Sequence, residues 1–134
     1  MKLVKLIEFP YMKESNGDLV VFEEDIIPFN VSRVFTVRAS KGSVRGEHAH
    51  RHCSQLLICT NGAVEVKCND TITTEIFVLD KANYGLFIPP GIWGYQKYLE
   101  GNTTLTVLCD RPYEESDYIR DYDDFKLFSK HIID

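Results

Sequence analysis

The chain has 134 residues, 44% hydrophobic and 26% charged, which is enough for a folded domain with its own core and too apolar for a disordered segment. Its net charge of −5 resides between Asp110 and Asp124, where seven acids meet two bases, so no basic stripe is offered to a nucleic-acid backbone. No apolar run approaches the ~20 residues needed to span a bilayer, and the N-terminus reads as no secretory leader, lacking a long apolar stretch and a small-residue cleavage site.

Taken in chain order, the pattern is one of short β-rich runs. Residues 31–38 are β-branched and partly alternating, and residues 40–47 follow as a polar, glycine-containing turn. Residues 54–60 and 63–68 flank Asn61-Gly62, a hairpin signal because both central positions of the favoured turn need positive φ. Further strands are expected at 74–79, 84–88 and 103–109, with Pro89-Pro90-Gly91 breaking the chain between them. Only residues 116–131 read as helical. Seven to nine strands without βαβ spacing predict an all-β sandwich or barrel in a single domain, residues 1–134, with a short C-terminal helical segment. Four cysteines (Cys53, Cys59, Cys68, Cys109) show no CxxC spacing and sit in apolar runs, as buried free thiols of a reducing cytoplasm do.

The chemistry concentrates in Gly42-Ser-Val-Arg-Gly-Glu-His48-Ala-His50-Arg-His52-Cys-Ser-Gln55. Residues two apart on a strand share a face, roughly 6–7 Å apart. His48 and His50 are therefore expected to point together into one space, with His52 joining if the strand runs on. Paired inward imidazoles need water, a metal or a ligand.

Gly42, His48, His50, Gln55 and Gly62 match the spacing of the first cupin motif, and Pro89, Gly91 and Gly94 echo the second. The resemblance implies a cupin double-stranded β-helix, a small jelly-roll barrel with a pocket at one mouth. Metal-binding cupins place a glutamate where Gln55 stands and a histidine where Gly94 stands. With two of four donors gone, no metal and no other cofactor is expected, and the imidazoles are left to move protons.

A narrower resemblance covers nearly the whole chain. Arg45-Gly-Glu-His-Ala-His50, Cys53-Ser-Gln-Leu-Leu-Ile-Cys59, Ile88-Pro-Pro-Gly-Ile-Trp-Gly-Tyr-Gln96 and Tyr113-Glu-Glu-Ser-Asp-Tyr-Ile-Arg-Asp-Tyr122 resemble the signatures of the nucleoside-diphosphate-sugar 3,4-ketoisomerases, the WxcM-like family. Three places depart from that pattern: Asn16 stands for an arginine, Phe35-Thr36 for Tyr-aromatic, and Asn69-Asp70 in a turn. The first two bear on substrate and stereochemistry, so galacto and gluco products both stay open.

The resemblance implies a dTDP-linked 4-keto-6-deoxyhexose substrate, isomerised to the 3-keto sugar through an enediol(ate), for dideoxy-aminosugar biosynthesis in O-antigen or S-layer glycans. It further implies a cytoplasmic homodimer that exchanges N-terminal strands. His48 and His50 are the expected catalysts, with His50 taking the C3 proton and His48 serving C4 or an oxygen. Arg45, Gln55, Trp93, Tyr95, Phe35 and Arg33 are the expected substrate-binding residues. The acidic tail should repel phosphates and lie away from the pocket, with Tyr113, Tyr118 and Tyr122 packing inward. The alternatives from the same fold are a metal-dependent enzyme using His48, His50 and His52, a non-catalytic sugar binder, and a deoxysugar epimerase.

Overall fold

The computed structural model describes residues 3–133. In chain order the strands are β1 (Lys5–Glu8), β2 (Tyr11–Glu14), β3 (Gly17–Val20), β4 (Arg33–Ala39), β5 (Val44–His50), β6 (Gln55–Asn61), β7 (Val64–Asn69), β8 (Thr74–Leu79), β9 (Tyr84–Ile88), β10 (Trp93–Tyr98), β11 (Thr103–Cys109) and β12 (Tyr118–Ile119). A 3-10 turn, Glu115–Asp117, precedes β12, and helix α1 (Tyr122–Ile133) closes the chain. One antiparallel sheet runs β1-β9-β6-β11-β4 and the other β12-β5-β10-β7-β8, while β2 and β3 form a separate hairpin. Two facing antiparallel sheets built from non-consecutive neighbours are the jelly-roll architecture of a cupin.

Alternation of side chains sets the layers. On β7, Val64, Val66 and Cys68 are fully buried, while Glu65 and Lys67 between them face outward. Leu57, Cys59, Leu105, Val107 and Cys109 of the facing sheet complete the inner core, with Tyr98 filling one end. Leu56, Ile58 and Leu108 point to the other side of their strands, where Phe9, Ile27 and Phe29 from the N-terminal segment cover them. On the second sheet the outer residues Ala49, Trp93 and Ile119 are capped by Phe125 and Phe128 of α1. All four cysteines are buried and free.

Three local expectations are revised. Asn61-Gly62 makes no hairpin, because β6 and β7 belong to different sheets. The turn is a corner, and Gly62 (φ 85°) sits where a Cβ would fall 2.4 Å from Thr103 Oγ1. The polar stretch 40–47 is largely strand: β5 starts at Val44 and pairs with Lys97 of β10. The expected helix from 116 begins only at Tyr122, because residues 115–119 instead form the 3-10 turn and pair Tyr118 and Ile119 with His50 and Ala49.

One bulge shapes the site. On β10, Gly94 pairs with His48 and Tyr95 with Gly46, so Glu47 is an extra residue on β5, and Gly46 and Glu47 both take positive φ (96° and 56°). Gly94 lies so close to β7 that a Cβ would meet the Lys67 carbonyl oxygen at 2.4 Å. Gly94→Ala is therefore expected to destabilise the fold by about 1–3 kcal/mol, read as a lower midpoint in thermal or urea denaturation. An unchanged midpoint would show that the β7–β10 pairing has room to spare.

Candidate active site

β5 carries the two imidazoles, and its period of two puts both on the inner face. Their rings stand 5.0 Å apart and perpendicular. They line a cavity at one end of the core with Cys53, Gln55 and Gln96, backed by Val66, Ile88 and Ile92. Gln55 lies on β6 of the opposite sheet, so the cavity is walled by both sheets.

His50 is only 8% exposed, and its Nδ1 lies 2.8 Å from Asp117 Oδ2. The second carboxylate oxygen accepts the His52 backbone N–H at 2.6 Å. An ionised carboxylate can only accept, so Nδ1 carries the ring proton and Nε2 presents a bare lone pair. That Nε2 is buried and has no hydrogen-bond partner among the described residues, and neither has Nδ1 of His48. Tyr118 packs against both rings, 5.0 Å from His48 and 4.4 Å from His50.

Electrostatics keep both rings neutral. Burial, reinforced by the neighbouring His50, pushes the His48 pKa down to about 4. Burial also lowers that of His50, outweighing the opposing pull of Asp117. For Asp117 burial raises the pKa, but the hydrogen bonds from His50 and from the His52 N–H outweigh it and hold the carboxyl below its usual range. A neutral imidazole backed by a carboxylate is a general base that gains a counter-ion once it takes a proton.

The remaining candidates divide by strand parity. Arg33 and Phe35 face inward on β4, the guanidinium 4.5 Å from the Phe35 ring centroid, and the Arg33 charge acts on both His50 and Cys109. Gln55 faces the cavity and sends Nε2 toward Cys109 Sγ at 3.6 Å. Arg45 is exposed opposite Gln96 and does not line the cavity. Trp93 and Tyr95 pair with Asn69 and Lys67 on the outer face; Trp93 packs on Tyr122 and Phe125 of α1, and Tyr95 lies under Lys67. The structure thus separates these two aromatics from the histidines by the thickness of a sheet. His52 is also parted from the pair, exposed beyond the end of β5.

The acidic tail does not lie away from the pocket. It sets Asp117 and Tyr118 against the histidines that line it, while Tyr113 is 53% and Tyr122 37% exposed. Asp117, Tyr118 and Gln96 are the site residues that sequence reasoning missed. The β-like Tyr118-Ile119 pair hints at a strand within the expected helix, but no local feature singles out Asp117 among the seven acids of the segment.

A cupin-type metal does not fit this cavity. Gly94 offers no donor and has no room for one, and Gln55 is a neutral amide directed at Cys109. Stability should register the neutral imidazoles. An unfolded histidine titrates near its ordinary value, about 6.5, while folded His48 stays neutral to about 4. The unfolded chain therefore binds more protons in this window, and stability falls as pH drops from about 6.5 toward about 4. His48→Asn should flatten that part of a plot of melting temperature against pH; equal slopes in parent and variant would contradict the assignment.

Known proteins resemble the chain over nearly its whole length. The model of the FdtA family, described as WxcM-like, C-terminal, matches residues 2–130. The TDP-4-oxo-6-deoxy-α-D-glucose-3,4-oxoisomerase of Aneurinibacillus thermoaerophilus is 36% identical over 126 residues, 92% of this chain and 91% of that protein. A histidine-to-asparagine variant of the 3,4-ketoisomerase QdtA from Thermoanaerobacterium thermosaccharolyticum, solved with TDP-4-keto-6-deoxyglucose, superposes with a TM-score of 0.93 at 32% identity, covering 98% of this chain and 96% of that one. A 3,4-ketoisomerase from Helicobacter canadensis gives 0.90 at 32% identity, covering 95% and 97%. On sequence and fold, the chain belongs to the FdtA, WxcM-like family.

Proposed function

We propose that the chain is a sugar-nucleotide 3,4-ketoisomerase that converts dTDP-4-keto-6-deoxyglucose to its 3-keto isomer. The observation that carries this reading is the bare, buried Nε2 of His50, held in one tautomer by Asp117 and open to a cavity. The relatives that act on or bind this substrate class support the choice of sugar.

The reaction needs two hydrogens moved. The C4 ketone acidifies the C3–H bond. His50 Nε2 takes that proton, the C–H electron pair becomes the C3–C4 double bond, and charge builds on O4. The imidazolium so formed is paired with Asp117. The O3 proton must also reach O4. Neutral His48, which can both accept and donate, is placed beside His50 to relay it. Collapse of the O3 enolate restores a carbonyl at C3, and His50 returns its proton to C4. Because neither ring is charged at neutral pH, the proton delivered to C4 is the one just taken from C3. Arg33 supplies positive charge and Gln55 a hydrogen-bonding amide to the oxygens. No step passes through a metal or redox cofactor.

The product carries a C3 ketone, the substrate chemistry of an aminotransferase, which supports a role in dideoxy-aminosugar biosynthesis for O-antigen or S-layer glycans. Four buried free thiols support a reducing cytoplasm. The homodimer implied by the resemblance has a surface to use: Leu6 of β1 and Tyr11, Met12 and Leu19 of the β2–β3 hairpin are 44–52% exposed.

Incubation with the keto-sugar, followed by NMR, is expected to show the carbonyl moved to C3 with no exchange at C5; exchange at C5 would instead indicate an epimerase. His50→Asn should lower turnover by about 10²–10⁴-fold, whereas His48→Asn should slow product formation and show solvent exchange at C3, because a stalled enediolate gives the proton on His50 time to exchange. If both variants melt normally and turn over within a few-fold of the parent, the histidines are not the catalysts. Light scattering should report a dimer at micromolar concentration, and a monomeric mass would refute that assignment.

A further inference from the structure

Behind the catalytic imidazole lies a second set of donors that the isomerisation does not use as a set. The ligand atoms of His50, Cys53 and Asp117, all three residues buried, lie within 4.8 Å of one another. They come from separate parts of the fold: the end of β5, the loop that follows it, and the 3-10 turn before β12. We propose that these three residues form a binding site for a thiophilic divalent cation of the zinc class, which inhibits the enzyme by taking the place of the proton between His50 and Asp117.

The donor chemistry selects the ion. Thiolate, imidazole and a single carboxylate suit Zn²⁺, whereas Mg²⁺ and Ca²⁺ require a shell of oxygens. In a tetrahedral zinc site, bond lengths of about 2.0–2.3 Å place neighbouring donors roughly 3–4 Å apart. The 2.8 Å between His50 Nδ1 and Asp117 Oδ2, and the 4.8 Å limit on the whole set, are within small side-chain shifts of that spacing. Cys53 and His50 also line the cavity, which gives the ion a way in and leaves a water to fill its fourth position. Charge closes as well: one thiolate and one carboxylate neutralise a dication, so no net charge is buried.

The donor set differs from the positions through which cupins hold a metal. Of those positions His50 alone is shared, and Gln55 and Gly94 take no part. Binding breaks the Cys53 S–H bond, releases that proton to solvent and forms the metal–sulfur bond. The His50 proton is retained but moves from Nδ1 to Nε2 as the metal takes the Nδ1 lone pair. Nε2 then has no lone pair for the substrate, and the base is disabled without a change in its ring charge. Metal binding stands on the donors alone, while the inhibition rests on the reading of His50 as the base.

The experiment uses the whole protein with cobalt(II) as a spectroscopic probe and zinc as competitor. One cobalt per chain is expected, with a near-ultraviolet thiolate-to-metal band that zinc displaces and a chelator abolishes. Cys53→Ser should lose the band and weaken zinc binding by at least about 10²-fold, and Asp117→Asn should also weaken it, whereas Cys68→Ser, another buried cysteine of the same cavity, should leave it intact. Relative to each protein's own zinc-free rate, zinc should suppress turnover of the parent far more than that of Cys53→Ser, a variant that keeps His50 and Asp117. Absence of the band, or its persistence in folded Cys53→Ser, overturns the site. A band accompanied by undiminished turnover upholds the site and refutes His50 as the base.

Discussion

The hydrogen bond between His50 and Asp117 ties the active site to the rest of the fold. A buried imidazole left without a partner would be free to adopt either tautomer, and a buried carboxylate without donors would carry a desolvation penalty of several kcal/mol. Each answers the other across 67 positions of sequence. To deliver Asp117, the chain after β11 folds back, makes its 3-10 turn and adds β12 alongside β5. The Arg51 N–H donates to the Asp117 carbonyl and the His52 N–H to its side chain, so the loop below the histidines is pinned by the residue that orients the base. Helix α1 then covers the outer face with Phe125 against Ala49, Ile119 and Trp93. The chain after β11 thus serves as the structural backing of the histidine strand.

Burial does the electrostatic work. In water, two histidines would be partly charged near neutral pH. In this cavity desolvation and their mutual proximity favour the uncharged forms, and Asp117 opposes the effect on His50 without reversing it. The result is an imidazole that is uncharged at neutral pH and, in the role proposed for it, would meet a carboxylate as its counter-ion only after taking a proton. The same tight packing removes the donors of a cupin metal, since the approach of β7 to β10 leaves no room for any side chain at position 94.

The parts of this arrangement legible in sequence were those governed by local periodicity. Strand period of two placed His48 and His50 together, while Arg33 and Phe35, expected from the resemblance, face inward on β4 by the same alternation. Where a tertiary relation decided the outcome, local reading failed. Asn61-Gly62 has the chemistry of a hairpin turn, but a sheet-to-sheet corner needs the same positive φ, and only the partners of β6 and β7 distinguish the two. Trp93 and Tyr95 adjoin Gly94 in a motif associated with the site, yet their register with Asn69 and Lys67 turns them outward. Asp117 was hidden in a run of acids that reads as a solvated helix. Its role depends on a partner strand far away in sequence, and nothing local marks one carboxylate among seven as buried.

In the proposed mechanism one imidazole carries a proton from C3 to C4. The most direct measurement follows a substrate deuterated at C3 through a single turnover in ordinary water, with deuterium at C4 of the product quantified by NMR or mass spectrometry. A measurable fraction of the label is expected to arrive at C4, because His50 would hold the deuteron in a cavity walled by both sheets until it is returned. Product bearing no deuterium at C4, even at the earliest times and with the parent enzyme fully active, would mean that a separate acid drawing on solvent protons completes the reaction.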